Sequence, residues 1–200
     1  MTEKKSLAQI TFDQLGLSES TLSALKKKGF EHPTPIQALT IPVLLAGKKD
    51  IIGQAQTGTG KTAAFALPLI EKLRENANGV QAIILTPTRE LALQVATEID
   101  SLKGNKRLDV LPVYGGQSIV VQLQRLRKQV DIVVGTPGRV SDHLERKTLR
   151  LDTVTHVILD EADEMLNMGF EQDVKAILEH TPENKQVILF SATMAPEVSS

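Results

Sequence analysis

Six short aliphatic runs, alternating with longer amphipathic stretches, constrain this chain more than any other feature. The runs are Asp50–Gly53, Val80–Thr86, Leu108–Val113, Asp131–Val134, His156–Leu159 and Val187–Phe190. Most are apolar at nearly every position rather than at alternate ones, which suits strands buried on both faces. Between them, Lys61–Leu73 puts Phe65, Leu69 and Leu73 on one stripe, and Arg89–Leu102 does the same with Leu91, Val95, Ile99 and Leu102. Ser118–Lys128 and Gly169–Glu179 carry similar stripes. Strands alternating with helices predict an α/β fold: a doubly wound, mostly parallel sheet with helices on both faces.

The first forty residues differ. Ser18 can cap a helix running to Lys28, with Gly29 as its terminator, and Pro33-Thr34-Pro35 break and restart the chain. Residues 1–38 therefore read as an N-terminal helical extension, and 39–200 as the α/β body. With 200 residues and 41% hydrophobic content, one packed domain is the economical expectation.

Composition removes several chemistries. With no cysteine there is no disulfide, thiolate metal site or cysteine nucleophile. One Tyr and no Trp argue against an aromatic stacking platform for single strands. No aliphatic stretch is long enough to span a bilayer, and the polar start lacks a signal-peptide hydrophobic region, so the expected location is the cytoplasm, with no membrane partner. The net charge of -1 conceals an asymmetry: residues 101–150 carry 10 basic and 4 acidic groups, whereas 151–200 carry 2 and 10. A basic block suits phosphate-rich partners and an acidic one bound cations, although either can be a solvated face.

Two motifs carry chemistry. Ala55-Gln56-Thr57-Gly58-Thr59-Gly60-Lys61-Thr62 lies between a predicted strand and a predicted helix. Small residues let consecutive backbone N–H groups turn around an anion, and the helix N-terminus adds its dipole. Lys61 supplies a charge for β- and γ-phosphates, and the Thr62 hydroxyl is a ligand for Mg²⁺. The usual pattern begins with Gly where this chain has Ala55. The second motif, Asp160-Glu161-Ala162-Asp163, follows Val157-Ile158-Leu159, at the strand end where open α/β sheets bind ligands. Asp160 is assigned to Mg²⁺, partly through water. Glu161 is assigned to orienting and deprotonating the attacking water, and Asp163 to a structural hydrogen bond.

In this order the motifs resemble those of the N-terminal, ATP-binding RecA-like domain of a bacterial DEAD-box ATP-dependent RNA helicase, from about Ile10 to Met194; the cold-shock and ribosome-assembly branch is the nearest resemblance. Gly29–Gln37 resembles the family's adenine-reading Q motif, with Phe12 as its isolated upstream aromatic. The resemblance implies that Phe30 stacks on adenine, that Gln37 pairs with its edge, and that Thr34 belongs to the same site. By themselves Phe30 reads as core and Gln37 as surface. Pro87-Thr88-Arg89 resembles motif Ia, Gly115-Gly116 the double-glycine element, and Thr136-Pro137-Gly138-Arg139 motif Ib; all are implied contacts to the RNA sugar–phosphate backbone. Each follows an aliphatic strand, where backbone N–H groups are free, although a helix cap or turn explains any one alone. Either Arg89 or Arg139 could instead pair with a carboxylate. The set lies largely in or beside the basic third quarter. Ser191-Ala192-Thr193 resembles motif III, whose hydroxyls are expected to bond Asp163 and couple hydrolysis to RNA. The histidines and Tyr114 receive no role.

The resemblance implies ATP and Mg²⁺ as cofactors, RNA as partner, and a second RecA-like domain that completes the active site; the chain is expected to be one part of a longer protein. Alone it is expected to be monomeric, to bind nucleotide weakly, to hydrolyse slowly or undetectably and not to unwind RNA. A DNA translocase and a nucleotide-gated RNA clamp remain alternatives.

Overall fold

A computed structural model describes residues 10–47, 49–56 and 58–193. After a short 3₁₀ turn at Phe12–Gln14 come α1 (Glu19–Lys27), α2 (Pro35–Ala46), β1 (Ile51–Gln54), α3 (Lys61–Lys72), β2 (Ala82–Leu85), α4 (Arg89–Leu102), β3 (Val110–Val113) and α5 (Ile119–Leu126). Then follow β4 (Ile132–Gly135), α6 (Pro137–Glu145), β5 (His156–Leu159), α7 (Ala162–Asn167), α8 (Glu171–Glu179) and β6 (Gln186–Ser191). The six strands form one sheet in the order β1-β6-β5-β2-β4-β3, and every neighbouring pair is parallel.

The first two crossovers carry the chain from β1 to β2 to β3 in one direction across the sheet. The remaining three bring it back through β4 and β5 to β6. Crossovers of one hand therefore lay the two sets of helices on opposite faces. Burial follows this division. Ala82, Ile84, Ile132, Val134, Ile158 and Ile188 pack with α2, α3 and α4. Ile83, Leu85, Val133, Val157 and Leu159 pack with α6, α7 and α8. Both faces of β2, β4 and β5 are covered, which accounts for their near-continuous aliphatic composition.

Local signals set the helix ends. Ser18 caps α1 by accepting from the Thr21 N–H, Thr88 caps α4 by accepting from Leu91, and Thr34 with Gln37 forms a capping box at α2. Helices α2, α6 and α7 go beyond the sequence expectation. Helix α2 is apolar nearly all round, with Leu39 and Val43 exposed opposite the buried Ile41 and Leu44, so it shows little helical period. It also runs without a break through residues 38 and 39, joining the extension to the body. Pro137 at the first position starts α6, a helix that no apolar stripe marks in the sequence.

At the amino-terminal edge a buried carboxylate joins three loops. Asp131 accepts from Gln81 Nε2 (2.9 Å), Gln129 Nε2 (3.1 Å) and the Asp109 N–H (2.8 Å).

His156 opens β5 inside the core. Burial and the nearby Lys72 charge push its pKa down to about 4. The folded protein thus holds His156 neutral where the unfolded chain, with a value near 6.5, binds a proton, so stability falls as pH drops from about 6.5 to about 4, by up to ~3 kcal/mol for this residue. His143 is lowered too, chiefly by burial, and acts in the same sense; Asp160, raised by burial, acts in the opposite sense. His156→Gln is expected to flatten the loss of stability between pH 6.5 and 4.5 in urea titrations. An unchanged pH dependence would remove His156 from this account.

Candidate active site

All six strands point the same way, so the loops after them share one edge. Register places Leu85, Gly135 and Val113 level with one another on one half of the sheet, and Leu85, Leu159 and Leu189 on the other. Every motif singled out downstream of a strand lies at this carboxyl edge. The phosphate loop, motif III and the acidic quartet follow β1, β6 and β5. Motifs Ia and Ib and the double glycine follow β2, β4 and β3.

The phosphate loop leaves β1 with the Ala55 N–H bonded to the Ser191 carbonyl at 3.0 Å. The Thr59 hydroxyl donates to the Gln56 carbonyl at 2.6 Å and tightens the turn. Gly58 and Gly60 take φ of +85° and +79°, a region costly for side chains. Gly60 is the N-cap of α3, so Lys61 and Thr62 open that helix, where backbone donors have no partner within it. Thr57 lies outside the described residues.

Lys61 is buried, and its Nζ lies 3.1 Å from Asp160 Oδ1 and 3.3 Å from Glu161 Oε1. Asp160 is fully buried and its N–H bonds the Leu85 carbonyl. Burial pushes its carboxyl above the usual range, with the Lys61 charge opposing. Glu161 occupies the left-handed region at φ +55°, ψ 51°, as the N-cap of α7. For a residue with a Cβ this costs roughly 1–2 kcal/mol, and it turns the chain so that both carboxylates face one ammonium.

Oxygen donors at this point fit a magnesium ion. Asp160 Oδ2 is buried without a hydrogen-bond partner, and the Thr62 hydroxyl makes no hydrogen bond among the described residues. No group of three or more His, Cys, Asp or Glu side chains is placed to hold a metal among those residues. Mg²⁺ takes one or two carboxylates and completes its shell with water and substrate phosphates.

Motif III closes the same half. Asp163 accepts from the Thr193 N–H (3.2 Å) and hydroxyl (3.0 Å). Burial resists ionisation of Asp163, but these bonds and the Ser191 hydroxyl outweigh it and lower its pKa. The Ala192 carbonyl accepts from Gln54 Nε2 at 3.1 Å, which ties the motif to the strand that carries the phosphate loop.

Gln37 is almost fully buried. Its Oε1 accepts from the Thr34 N–H (3.0 Å) and its Nε2 donates to the Gly60 carbonyl (3.1 Å). Each end of the amide thus has one partner within the protein, which leaves one Nε2 hydrogen and one Oε1 lone pair to pair with an adenine edge. Phe12 is buried and meets Phe30 edge-on, with ring centroids 6.3 Å apart; the two line a cavity of about 640 Å³.

On the other half, Arg89 lays its guanidinium over the Tyr114 ring, 5.3 Å from the centroid, and reaches Gly116. This brings motif Ia beside the double glycine. Gly115, Gly116 and Gly138 are exposed, Pro87 and Pro137 are buried, and the Thr88 hydroxyl caps α4. Thr136 is the N-cap residue of α6, and its hydroxyl makes no hydrogen bond among the described residues. Among the described residues Arg139 pairs with no carboxylate; its Nη1 donates to the Gln117 carbonyl and to Gln122 Oε1 (3.0 and 3.1 Å). The buried Gln122 in turn bonds the Tyr114 carbonyl and His143 Nε2, and His143 Nδ1 meets the Thr148 hydroxyl. This network and the Tyr114 platform had no sequence signal beyond isolated polar residues in apolar helices.

One expectation is corrected here. The basic third quarter does not furnish the motif edge. Of its ten cationic residues only Arg139, in the first turn of α6, belongs to a motif; the other nine sit in last helical turns or in the loops that enter β3, β4 and β5. Helices in a parallel sheet run back against the strands, so these positions fall at the opposite, amino-terminal edge.

A family model for DEAD/DEAH box helicases matches residues 34–200. The chain belongs to the DEAD/DEAH box helicase family. It is 56% identical over 92% of its length to the DEAD-box ATP-dependent RNA helicase CshA of Geobacillus kaustophilus, and 59% identical over 92% to CshA of Bacillus cereus; it spans 39% and 35% of those proteins. It matches the crystal structure of a DEAD box protein from the hyperthermophile Methanococcus jannaschii with a TM-score of 0.90 and 56% identity, over 94% of this chain and 51% of that one. The fold is therefore that family's RecA-like domain, and the chain spans about a third to a half of the relatives' lengths.

The glycines of the phosphate loop give a discriminating test. A Cβ at Gly60 would come within 2.5 Å of Gln37 Nε2 and crowd Thr34, whereas one at Gly58 meets nothing within 4 Å. Both have positive φ, so both alanine variants carry similar backbone strain. Gly60→Ala is expected to weaken MgATP binding at least about tenfold more than Gly58→Ala, since a 1.4 kcal/mol clash is tenfold. Equal losses in fluorescent-nucleotide titrations would show that the Gln37–Gly60 contact plays no part.

Proposed function

We propose that this domain is the ATP-binding half of an RNA-dependent ATPase that couples nucleotide binding and hydrolysis to local RNA duplex unwinding or remodelling in the cytoplasm. The observation that carries the reading is the Lys61 ammonium held between Asp160 and Glu161, beside the open N-terminus of α3. The relatives named above as ATP-dependent RNA helicases support it.

The residues divide the work. Backbone N–H groups of Gly58–Thr62 and the Lys61 ammonium bind phosphate oxygens. Lys61 turns toward phosphate, and Glu161 orients the attacking water and accepts its proton. Asp160 and Thr62 would hold Mg²⁺, which when bound neutralises phosphate charge. Phe30, packed on Phe12, and Gln37 with Thr34 receive the adenine. The Asp163–Thr193 bonds relay the state of the acidic loop to motif III. Thr88, Arg89, Gly115, Gly116, Thr136, Gly138 and Arg139, with Pro87 and Pro137 shaping their loops, face the RNA backbone. That grouping reads no bases, so selectivity for particular RNAs belongs elsewhere. A second RecA-like domain completes the site by supplying cations to the transition state; alone, this monomeric domain turns over slowly and does not unwind.

Lys61→Ala is expected to abolish nucleotide binding, because the ammonium is the side-chain charge of the phosphate loop. In a protein where a second RecA-like domain follows, Glu161→Gln is expected to keep ATP and RNA binding within about twofold and to lower turnover by at least about 10². Turnover surviving Glu161→Gln would remove it as the base. Gln37→Ala is expected to erode discrimination between ATP and GTP, and unchanged discrimination would count against the adenine assignment.

A further inference from the structure

The displaced basic block frames a cavity of its own. At the amino-terminal edge, three loops enclose about 440 Å³: residues 78–80 before β2, 126–130 before β4 and 147–153 before β5. Arg127, Lys128, Lys147 and Arg150 line it with one carboxylate, Asp152. All four cationic side chains are exposed, and none makes a hydrogen bond or ion pair among the described residues.

The walls are fixed. Gln129 bonds both the N–H and the carbonyl of Gly79 (3.4 and 3.2 Å), the Thr153 hydroxyl bonds the Val80 carbonyl (2.8 Å), and Asp131 anchors Gln129 from below. Lys147 takes φ +57°, a conformation unfavourable for a long side chain. Gathering four unpaired cations on rigid loops costs repulsion that an anion relieves.

We infer that this cavity is a second RNA-backbone site, on the edge of the sheet opposite the motif loops, holding phosphates of the strand that flanks the segment engaged there. An acidic peptide fits less well. The lining includes the apolar Val80, Leu126, Val130 and Leu149 but no aromatic side chain, and peptide hot spots favour aromatic anchors. Phosphodiesters need only charge and donors. A domain of this length has a radius of gyration of roughly 16 Å. At about 3.4 Å per stacked nucleotide, a strand of about 20 nucleotides reaches round it, and one of about 6 does not.

The inference rests on the RNA reading above, and the test separates the two. Fluorescence anisotropy would follow labelled single-stranded RNAs of about 6 and about 20 nucleotides across a salt series. The triple variant Arg127→Gln, Lys147→Asn, Arg150→Gln removes three charges and keeps a residue tolerant of positive φ at 147. The control, Lys27→Gln, Lys49→Gln, Lys175→Gln, removes three exposed charges elsewhere. The cavity variant is expected to lose about tenfold affinity for the longer RNA and less than twofold for the shorter. Its log–log salt slope should fall by about 2, near 0.7 for each of three phosphate contacts. The control should change neither affinity more than twofold. Equal behaviour of the two variants on the longer RNA overturns the site, as does an equal loss on both lengths. Polyglutamate competing as well as RNA of equal charge overturns it in favour of an acidic protein partner. If the unaltered domain binds nucleotide but neither RNA, the RNA reading itself fails.

Discussion

Parallel pairing of all six strands is the constraint from which the functional arrangement follows. An antiparallel strand anywhere in the sheet would send its loop to the other edge. With every pair parallel, segments as far apart in sequence as Gly58, Arg89, Glu161 and Thr193 have no choice but to meet. The strand order then sorts them: loops after β1, β6 and β5 bring phosphate-binding and acidic chemistry together, and loops after β2, β4 and β3 form the neighbouring half. Strand β2, which pairs with both β4 and β5, joins the two halves. Around that strand Ile83, Ile84, Val133 and Val157 have no exposed surface, so the two halves share one packed centre.

Within that edge the controlling charge is Lys61. Asp160 is fully buried, and an unpaired carboxylate there would carry a desolvation cost of several kcal/mol. The ammonium offsets part of this cost, while burial and the neighbouring Glu161 charge push the Asp160 carboxyl upward. Such a carboxylate has a standing preference for a cation. The same ammonium also holds Glu161, so one movement of Lys61 changes the electrostatics of both acids. The left-handed backbone at Glu161 makes that coupling geometric, because a relaxed turn would separate the carboxylates.

Most of this was readable from the chain because two-sided burial leaves a plain mark on composition. Strand β5 matches its aliphatic run, and α4 runs from Arg89 to Leu102 as its stripe predicts. The phosphate loop and the acidic quartet were readable since their chemistry is local: consecutive residues form the turn or the strand end. What stayed hidden is non-local. The Gln37 amide looked like a surface group, yet it closes onto Gly60, because a capping box turned its side chain inward and α2 packed against α3. Arg139, Gln122 and His143 are separated by up to 21 positions and become one network only when α5 and α6 are laid on the same face. Helix α2 was missed for the opposite reason, an excess of apolar residues that blurs the period.

Charge shows the same limit most sharply. Basic residues clustered along the chain invited the conclusion that they surround the neighbouring motifs. A βαβ unit defeats that inference, because it places the two ends of each strand at opposite edges and the sequence between two motifs passes through the far edge each time. The acidic residues at 160, 161 and 163 follow a strand and so belong to the motif edge. Arg127, Lys128, Lys147 and Arg150 precede strands and so do not. Position relative to the strand, before or after it, therefore decides what a charged run in such a fold can touch. By that criterion the domain presents two separate electrostatic surfaces, one built around a buried lysine and its acids and the other around four exposed cations.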